Sequence, residues 1–449
     1  MAADDPVDDP GREVLRLAVP AFLALVAEPL FLLVDTAIIG HLGVEELAGL
    51  GVAGAVLATA ASVFVFLAYG TTAVVARRLG AGDTRGAATA GMDGLWLALL
   101  LGAVSAVAAY ALVEPVCRLM GASGEVLTHA TAYLAVSAWG LPGMLVVLAV
   151  TGVLRGFQDT RTPLVVSVAG FSANALLNVW FVYGLGWGVA GSALGTVLAQ
   201  TAMGAVFVIA LLRIARREGA PLAVHPAGVL RAALDGVPLI VRTVALRAVL
   251  LLTVWVAAGL GAVPLAAHQV AFTIWSFLTF SLDALAIAAQ ALTGKALGAG
   301  DAAAVRRTTS LMVRWGVRAG ALLGAAVVLL SPVLPALFTP DAATRTALTA
   351  ALVVVGLGQV LSGYVFVLDG VLIGAGDGRW LAGAMVVLLA AYAPLVLAVR
   401  AAGPWLLGAG APWALVALWV AFTGFLALRA VLLGRRARGD AWIVLGITA

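Results

Sequence analysis

The sequence predicts an all-α polytopic membrane protein whose twelve transmembrane helices form two six-helix lobes related as a parallel repeat. Three observations lead to this class. Of the 449 residues, 63% are hydrophobic and 11% are charged, with a mean hydropathy of +1.10, more apolar surface than a soluble core absorbs. The apolar runs reach the roughly 20 residues that a helix needs to cross a bilayer core about 30 Å thick. Stretches such as Ala98 to Ala111 and Ala321 to Leu330 lack the two-residue alternation of a transmembrane strand, and every backbone amide in hydrocarbon must be satisfied within its segment, so the spans are helices. Finally, the chain repeats itself at a constant offset of 218 residues. Val19-Pro20 recurs as Val237-Pro238, Leu79-Gly-Ala-Gly-Asp83 as Leu297-Gly-Ala-Gly-Asp301, and Gly152-Val-Leu-Arg-Gly156 with Asp159 and Arg161 as Gly370-Val-Leu-Ile-Gly374 with Asp377 and Arg379.

Twelve apolar segments follow in order, near 14–38, 50–76, 91–113, 130–154, 163–183, 189–213, 233–259, 265–291, 313–336, 347–373, 380–400 and 405–433. With the N-terminus placed in the cytoplasm, the basic residues gather on the cytoplasmic side of this alternation. Only Arg118, Arg345 and Arg400 fall on the other side, and Arg242 and Arg247 lie within the seventh span. Both termini are therefore expected in the cytoplasm, and an even offset of helices gives the halves one orientation. The expected organisation is a disordered tail over 1–12, an N-lobe over 13–213, a basic linker over 214–232, a C-lobe over 233–433 and a cytoplasmic tail over 434–449. Parallel repeats of this kind hold a substrate cavity between lobes that rock to give alternating access.

The N-terminus, with Asp4, Asp5, Asp8 and Asp9 among prolines, lacks the basic segment and short apolar core of a signal peptide. Cys117 is the single cysteine, so no intramolecular disulfide or multi-cysteine metal site is expected. A net charge of +4 and a pI near 9.6 are explained by the one-sided loops, and no nucleic-acid partner is expected. The partners expected are the lipid bilayer and small molecules.

Charges inside spans cost about 2.5 to 3.5 kcal/mol each on insertion scales, which makes each a functional candidate. Asp35 lies deep in the first span, within Phe31-Leu-Leu-Val-Asp-Thr-Ala-Ile-Ile39, with Glu28 two turns earlier and Pro20 interrupting the backbone ladder. Desolvation among Val, Leu and Ile penalises the anion relative to the neutral acid, so Asp35 is a candidate proton carrier. Asn174 and Asn178, one turn apart in the fifth span, and Thr196 in the sixth can complete a hydrogen-bonded cage around it, or act as plain interhelical adhesive. In the second half Asp283 sits mid-span, with Arg242 and Arg247 available to neutralise it, and Asp369 reads as an interfacial or capping carboxylate.

His41, His129, His225 and His268 have no metal-ligand spacing, and neither a metal nor a cofactor is expected. Gly186-Trp-Gly-Val-Ala-Gly191 matches a dinucleotide fingerprint in letters only, since it joins two spans and follows no strand. Gly294-Lys295 lacks the rest of a phosphate loop, so no ATPase motor is encoded. An enzyme is not expected, because no nucleophile with a base and no ligand cluster is present.

Val34-Asp-Thr-Ala-Ile-Ile-Gly-His-Leu-Gly43, Ala267-His-Gln-Val-Ala271, Ser281-Leu-Asp-Ala-Leu-Ala-Ile-Ala-Ala-Gln-Ala291 and the paired Leu-Gly-Ala-Gly-Asp turns resemble the multidrug and toxic compound extrusion (MATE) family, in its branch similar to DNA-damage-inducible protein F (DinF). The resemblance spans nearly the whole chain. It implies a monomeric secondary antiporter of the inner (cytoplasmic) membrane that exports amphipathic, often cationic compounds in exchange for protons or sodium. It also implies that Asp35 is the ion-coupling residue, Pro20 the bend of the first helix, and Asn174, Asn178 and Thr196 the partners of Asp35. Where some relatives carry a second aspartate this chain has Asn178, which weakens a cation cage and favours protons over sodium. The alternative reading is a lipid-linked precursor flippase of the same broader superfamily, whose cavity would need more basic residues than Arg242 and Arg247.

Overall fold

The apolar runs fold as helices throughout, and the computed structural model, which describes residues 10–447, contains no strand among them. The first half comprises α1 (Pro10–Gly40), α2 (Val44–Phe64), α3 (Phe66–Gly80), α4 (Thr84–Ala111), the short α5 (Val113–Leu119), α6 (Gly124–Ala138), α7 (Leu141–Gly156), α8 (Arg161–Val179), a π-helical turn at Trp180–Gly184, and α9 (Gly188–Arg217). The second comprises α10 (Pro226–Gly259), α11 (Ala262–Gly298), α12 (Ala302–Leu330), the short α13 (Leu334–Phe338), α14 (Ala342–Gly374), α15 (Gly378–Ala401), the short α16 (Gly403–Ala409) and α17 (Ala411–Arg438). The order repeats helix for helix. Continuous α11 corresponds to α2 and α3, which are separated only at Val65, and continuous α14 corresponds to α6 and α7, which bend by 53° at their junction. Among the described residues, eleven helices are long and apolar enough to cross a membrane, or twelve when the bent pair is taken as one span.

The repeated sequence motifs have local physical causes. In each Leu-Gly-Ala-Gly-Asp turn the second glycine takes a left-handed conformation, φ 77° at Gly82 and 73° at Gly300, which ends one helix without a Cβ penalty. The aspartate then caps the next helix: Asp83 Oδ1 accepts from the Gly86 amide and Asp301 Oδ1 from the Ala304 amide, both at 2.8 Å. The Gly-Val-Leu-x-Gly pair marks a close helix approach. Gly152 and Gly156 lie against Ala68, Thr71, Val75 and Ala76 of α3, and their counterparts Gly370 and Gly374 against the backbone of Ala286 and Gln290 on α11. Small residues at this spacing let membrane helices pack backbone to backbone. In the first half Thr72 adds a hydroxyl bond to the Gly152 carbonyl at 2.9 Å.

The chain divides into two compact units at Pro238, inside α10. One runs from Arg16 to Val237, and the other takes in residues 10–15 and 238–447. The connection between the halves is shorter than the expected 214–232 linker. α9 continues to Arg217 and α10 begins at Pro226, leaving only 218–225 irregular. Basic residues in a last helical turn complement the carbonyl end of the helix dipole, as Arg216 and Arg217 do, and proline at a first helical position sacrifices no bond. For the same reason α17 extends to Arg438, into the expected tail, and α1 begins at Pro10, inside the expected 1–12 tail. Residues 1–9 of that tail lie outside the described residues.

Candidate functional site

Within the first unit, three helices bring polar side chains onto a carboxylate carried by a fourth. Asp35 projects from α1 into the unit and is 9% exposed. Its Oδ1 accepts from Asn178 Nδ2 on α8 at 2.5 Å and from Ser192 Oγ on α9 at 2.8 Å. Its Oδ2 receives the longer bond of Tyr133 OH from α6, at 3.4 Å. Hydrogen bonds to an ionised acceptor are about twice as strong as neutral ones, so this set of donors solvates the anion in place of water.

The spacing of two helices explains the rest. Asn174 and Asn178 stand one turn apart on α8, and Ser192 and Thr196 one turn apart on α9, so two polar pairs face each other. Asn178 Nδ2 also bonds Asn174 Oδ1 at 3.2 Å, Asn174 Nδ2 donates to Thr196 Oγ1 at 3.0 Å, and Thr196 Oγ1 returns to the Ser192 carbonyl at 3.2 Å. Gly195 lies between the two α9 hydroxyls, and a Cβ there would overlap Asn178 Oδ1. That oxygen is buried and has no hydrogen-bond partner, leaving one acceptor beside Asp35 unused. Directly after Asn178 the helix widens into the π-helical turn, whose Tyr183 OH donates to the Ile38 carbonyl at 2.6 Å. Such turns inside helices are frequent at functional sites.

The structure thus brings Asn174, Asn178 and Thr196 to Asp35, with Ser192 and Tyr133 as members that sequence reasoning missed. Ser192 could have been found from its one-turn spacing to Thr196. Tyr133 carries no such signal, being one tyrosine in an apolar run. Pro20 lies inside α1, fifteen residues before Asp35 and so about 22 Å away along the axis at the helical rise. The side chain of Glu28 lies outside the described residues.

In the second unit Arg242 and Arg247 have different surroundings. Arg242 pairs with Asp369 of α14, which also meets Arg429 of α17 at 3.0 Å. Asp369 is 6% exposed, a buried ionic centre and not the interfacial or capping group expected. Arg247 is exposed and has no ion pair among the described residues, because five positions on a helix turn a side chain by about 140° away from Arg242. Asp283 is half-buried on α11.

The MatE family model matches this chain twice, over residues 20–180 and 238–399, at starts separated by the length of the internal repeat. Protein DETOXIFICATION 44, chloroplastic, of Arabidopsis thaliana is 32% identical over 438 residues, covering 94% of this chain and 81% of its own. DNA damage-inducible protein F of Escherichia coli (strain K12) is 31% identical over 448 residues, covering 96% and 94%. A solved multidrug resistance MATE family transporter of the MOP superfamily in an outward-facing conformation superposes with a TM-score of 0.85 at 22% identity, covering 96% of this chain and 95% of that one, and so shares the fold. The twofold match to the family model and relatives that run along nearly the whole chain lead to one conclusion: the chain belongs to the MatE family, a multi-pass membrane transporter of the multidrug efflux class and not an enzyme.

Proposed function

We propose that this chain is a secondary antiporter that exports amphipathic or cationic organic compounds by alternating access, in exchange for protons, and that Asp35 carries the proton. The observation that carries this reading is the buried Asp35 carboxylate held by Asn178, Ser192 and Tyr133 beside the unused Asn178 Oδ1. As an anion, Asp35 is solvated by three donors. When a proton arrives, the neutral acid has a hydrogen to give, and a turn of the Asn178 amide presents its oxygen to accept it. The network therefore has two arrangements, one for each charge state, and the switch is transmitted to α1, α8 and α9 together. Sodium suits these residues less well. A cation needs oxygens turned toward it, whereas the Asn178 amide and the Ser192 hydroxyl direct hydrogens at the carboxylate, and Asn178 supplies no second negative charge.

The protein is proposed to act as a monomer in the inner (cytoplasmic) membrane, with both termini and the 218–225 connection in the cytoplasm, as the one-sided distribution of arginines supports. The test is efflux of a fluorescent organic cation by the purified chain in liposomes, with pH and sodium gradients imposed separately. Transport driven by the pH gradient and indifferent to sodium is expected; transport driven by sodium at uniform pH would overturn the proton assignment.

A further inference from the structure

A cavity of about 320 Å³ lies where the start of α1 meets the start of α8, lined by Arg16, Gln158, Asp159, Thr160 and Arg161. Its volume is at the lower end of the range for small-ligand sites, about 300–1,000 Å³. Two guanidinium groups share it, and among the described residues neither Arg16 nor Arg161 has an ion-pair partner. The carboxylate between them is engaged elsewhere. Asp159 Oδ1 accepts from the amides of Arg161 at 3.0 Å and Thr162 at 2.9 Å, and its Oδ2 from the Thr162 hydroxyl at 2.6 Å, so it is occupied by the first amides of α8.

The internal repeat sharpens the contrast. At the equivalent corner of the second half, Asp377 is taken by a two-point bond from Arg436 of α17, at 2.7 and 3.1 Å. There the chain fills its own corner with an arginine and balances the charge. In the first half the position matching Arg436 by the repeat is Glu218, which pairs with Arg217 at 3.5 Å. The corner at Arg16 and Arg161 is thus left open, with positive charge in excess of what Asp159 supplies.

Arg16 lies in the second turn of α1 and Arg161 is the first residue of α8, so, resting on the cytoplasmic N-terminus proposed above, both lie near the cytoplasmic starts of their spans. Planar guanidiniums bind phosphate oxygens in forked pairs, and an anionic leaflet attracts each basic group near its surface by about 1 kcal/mol. We infer that this cavity binds the phosphate of an anionic phospholipid headgroup. Arg16 belongs to the helix that carries Asp35, and Arg161 to the helix that carries Asn174 and Asn178. The Thr160 hydroxyl already joins the two by a bond to the Arg16 carbonyl at 3.3 Å, and a bound headgroup fastens the same two helix starts.

The experiment is native mass spectrometry of the purified full chain in detergent, titrated with phosphatidylglycerol or phosphatidylcholine, with free inorganic phosphate as competitor. The wild type is expected to retain one phosphatidylglycerol in preference to phosphatidylcholine. The pair Arg16→Gln and Arg161→Gln should weaken that binding by at least about tenfold, while Arg85→Gln, an exposed arginine at the start of α4, leaves it unchanged. If the glutamine pair does not yield monodisperse protein, Arg16→Lys with Arg161→Lys keeps the charge but loses the fork, and should still bind more weakly than wild type. Equal retention of both lipids by the wild type, or undiminished retention by the double variants, overturns the proposal. Displacement of the lipid by millimolar inorganic phosphate also overturns it, since the site would then be one for a soluble anion.

Discussion

Ser192 on α9 donates its hydroxyl at 2.8 Å to the same Asp35 oxygen that receives Asn178 Nδ2. The carboxylate therefore draws two of its three donors onto one atom, and losing either one falls on the anion and not on the neutral acid. A hydrogen bond to a charged group contributes about 1.5–3 kcal/mol. Ser192→Ala should thus displace the pH profile of efflux and lower coupled transport by about tenfold or more. Tyr133→Phe should have a smaller effect, because its bond is long. Initial efflux rates across a pH series test both, and a profile left in place by Ser192→Ala would remove this hydroxyl from the coupling site.

Gly195 is expected to be as sensitive as the polar residues around it. A methyl group there lands on Asn178 Oδ1 and must push Asn178 off Asp35 or part α8 from α9, at a cost of about 1–3 kcal/mol for overpacking. Gly195→Ala should lower the thermal midpoint slightly and reduce coupled transport strongly. Gly51→Ala serves as the control, since nothing lies within 4 Å of its added Cβ and alanine favours a helix by about 1 kcal/mol. Equal activity of the two variants would contradict the assigned role of Gly195.

The Arg242–Asp369–Arg429 cluster predicts a loss of stability in place of a loss of coupling. Removing the shared carboxylate from buried guanidiniums costs about 3–5 kcal/mol when one partner of a buried pair is deleted. Asp369→Asn should melt well below the wild type, while the protons moved per substrate in the surviving protein stay the same. An unchanged melting curve with altered stoichiometry would reverse this assignment.

Orientation is tested through the connection between the halves. Gly219 has a left-handed φ of 66°, so a cysteine there would be strained, whereas Arg217 is exposed beside it. In a Cys117→Ala background, Arg217→Cys should resist an impermeant thiol reagent in intact cells and react after permeabilisation. Labelling from outside intact cells would invert the topology.

The class of fold and the repeat were legible because hydrophobic length and recurring turn motifs are written directly in one dimension. The ion-coupling candidates were legible for a related reason: a carboxyl and two amides in apolar spans are conspicuous where polarity is costly. Ser192 and Tyr133 were not, since a serine or tyrosine in a membrane helix carries no charge to notice and its partner is set by packing between helices far apart in sequence. Arg242 illustrates the other limit. Its ion-pair partner Asp369 lies 127 residues away, a pairing that proximity of spans in sequence did not indicate. The ends of helices were also misjudged, because arginine-rich turns read as solvated linker when in fact they complete α9 and α17.

Proton exchange at Asp35 is read out by substrate-induced proton release from the purified protein in weakly buffered detergent. Wild-type protein should release protons on addition of a transported organic cation. Asp35→Asn, which mimics the protonated side chain, should still fold and bind that cation, yet release none. Release by Asp35→Asn equal to that of the wild type would place the proton carrier elsewhere in the chain.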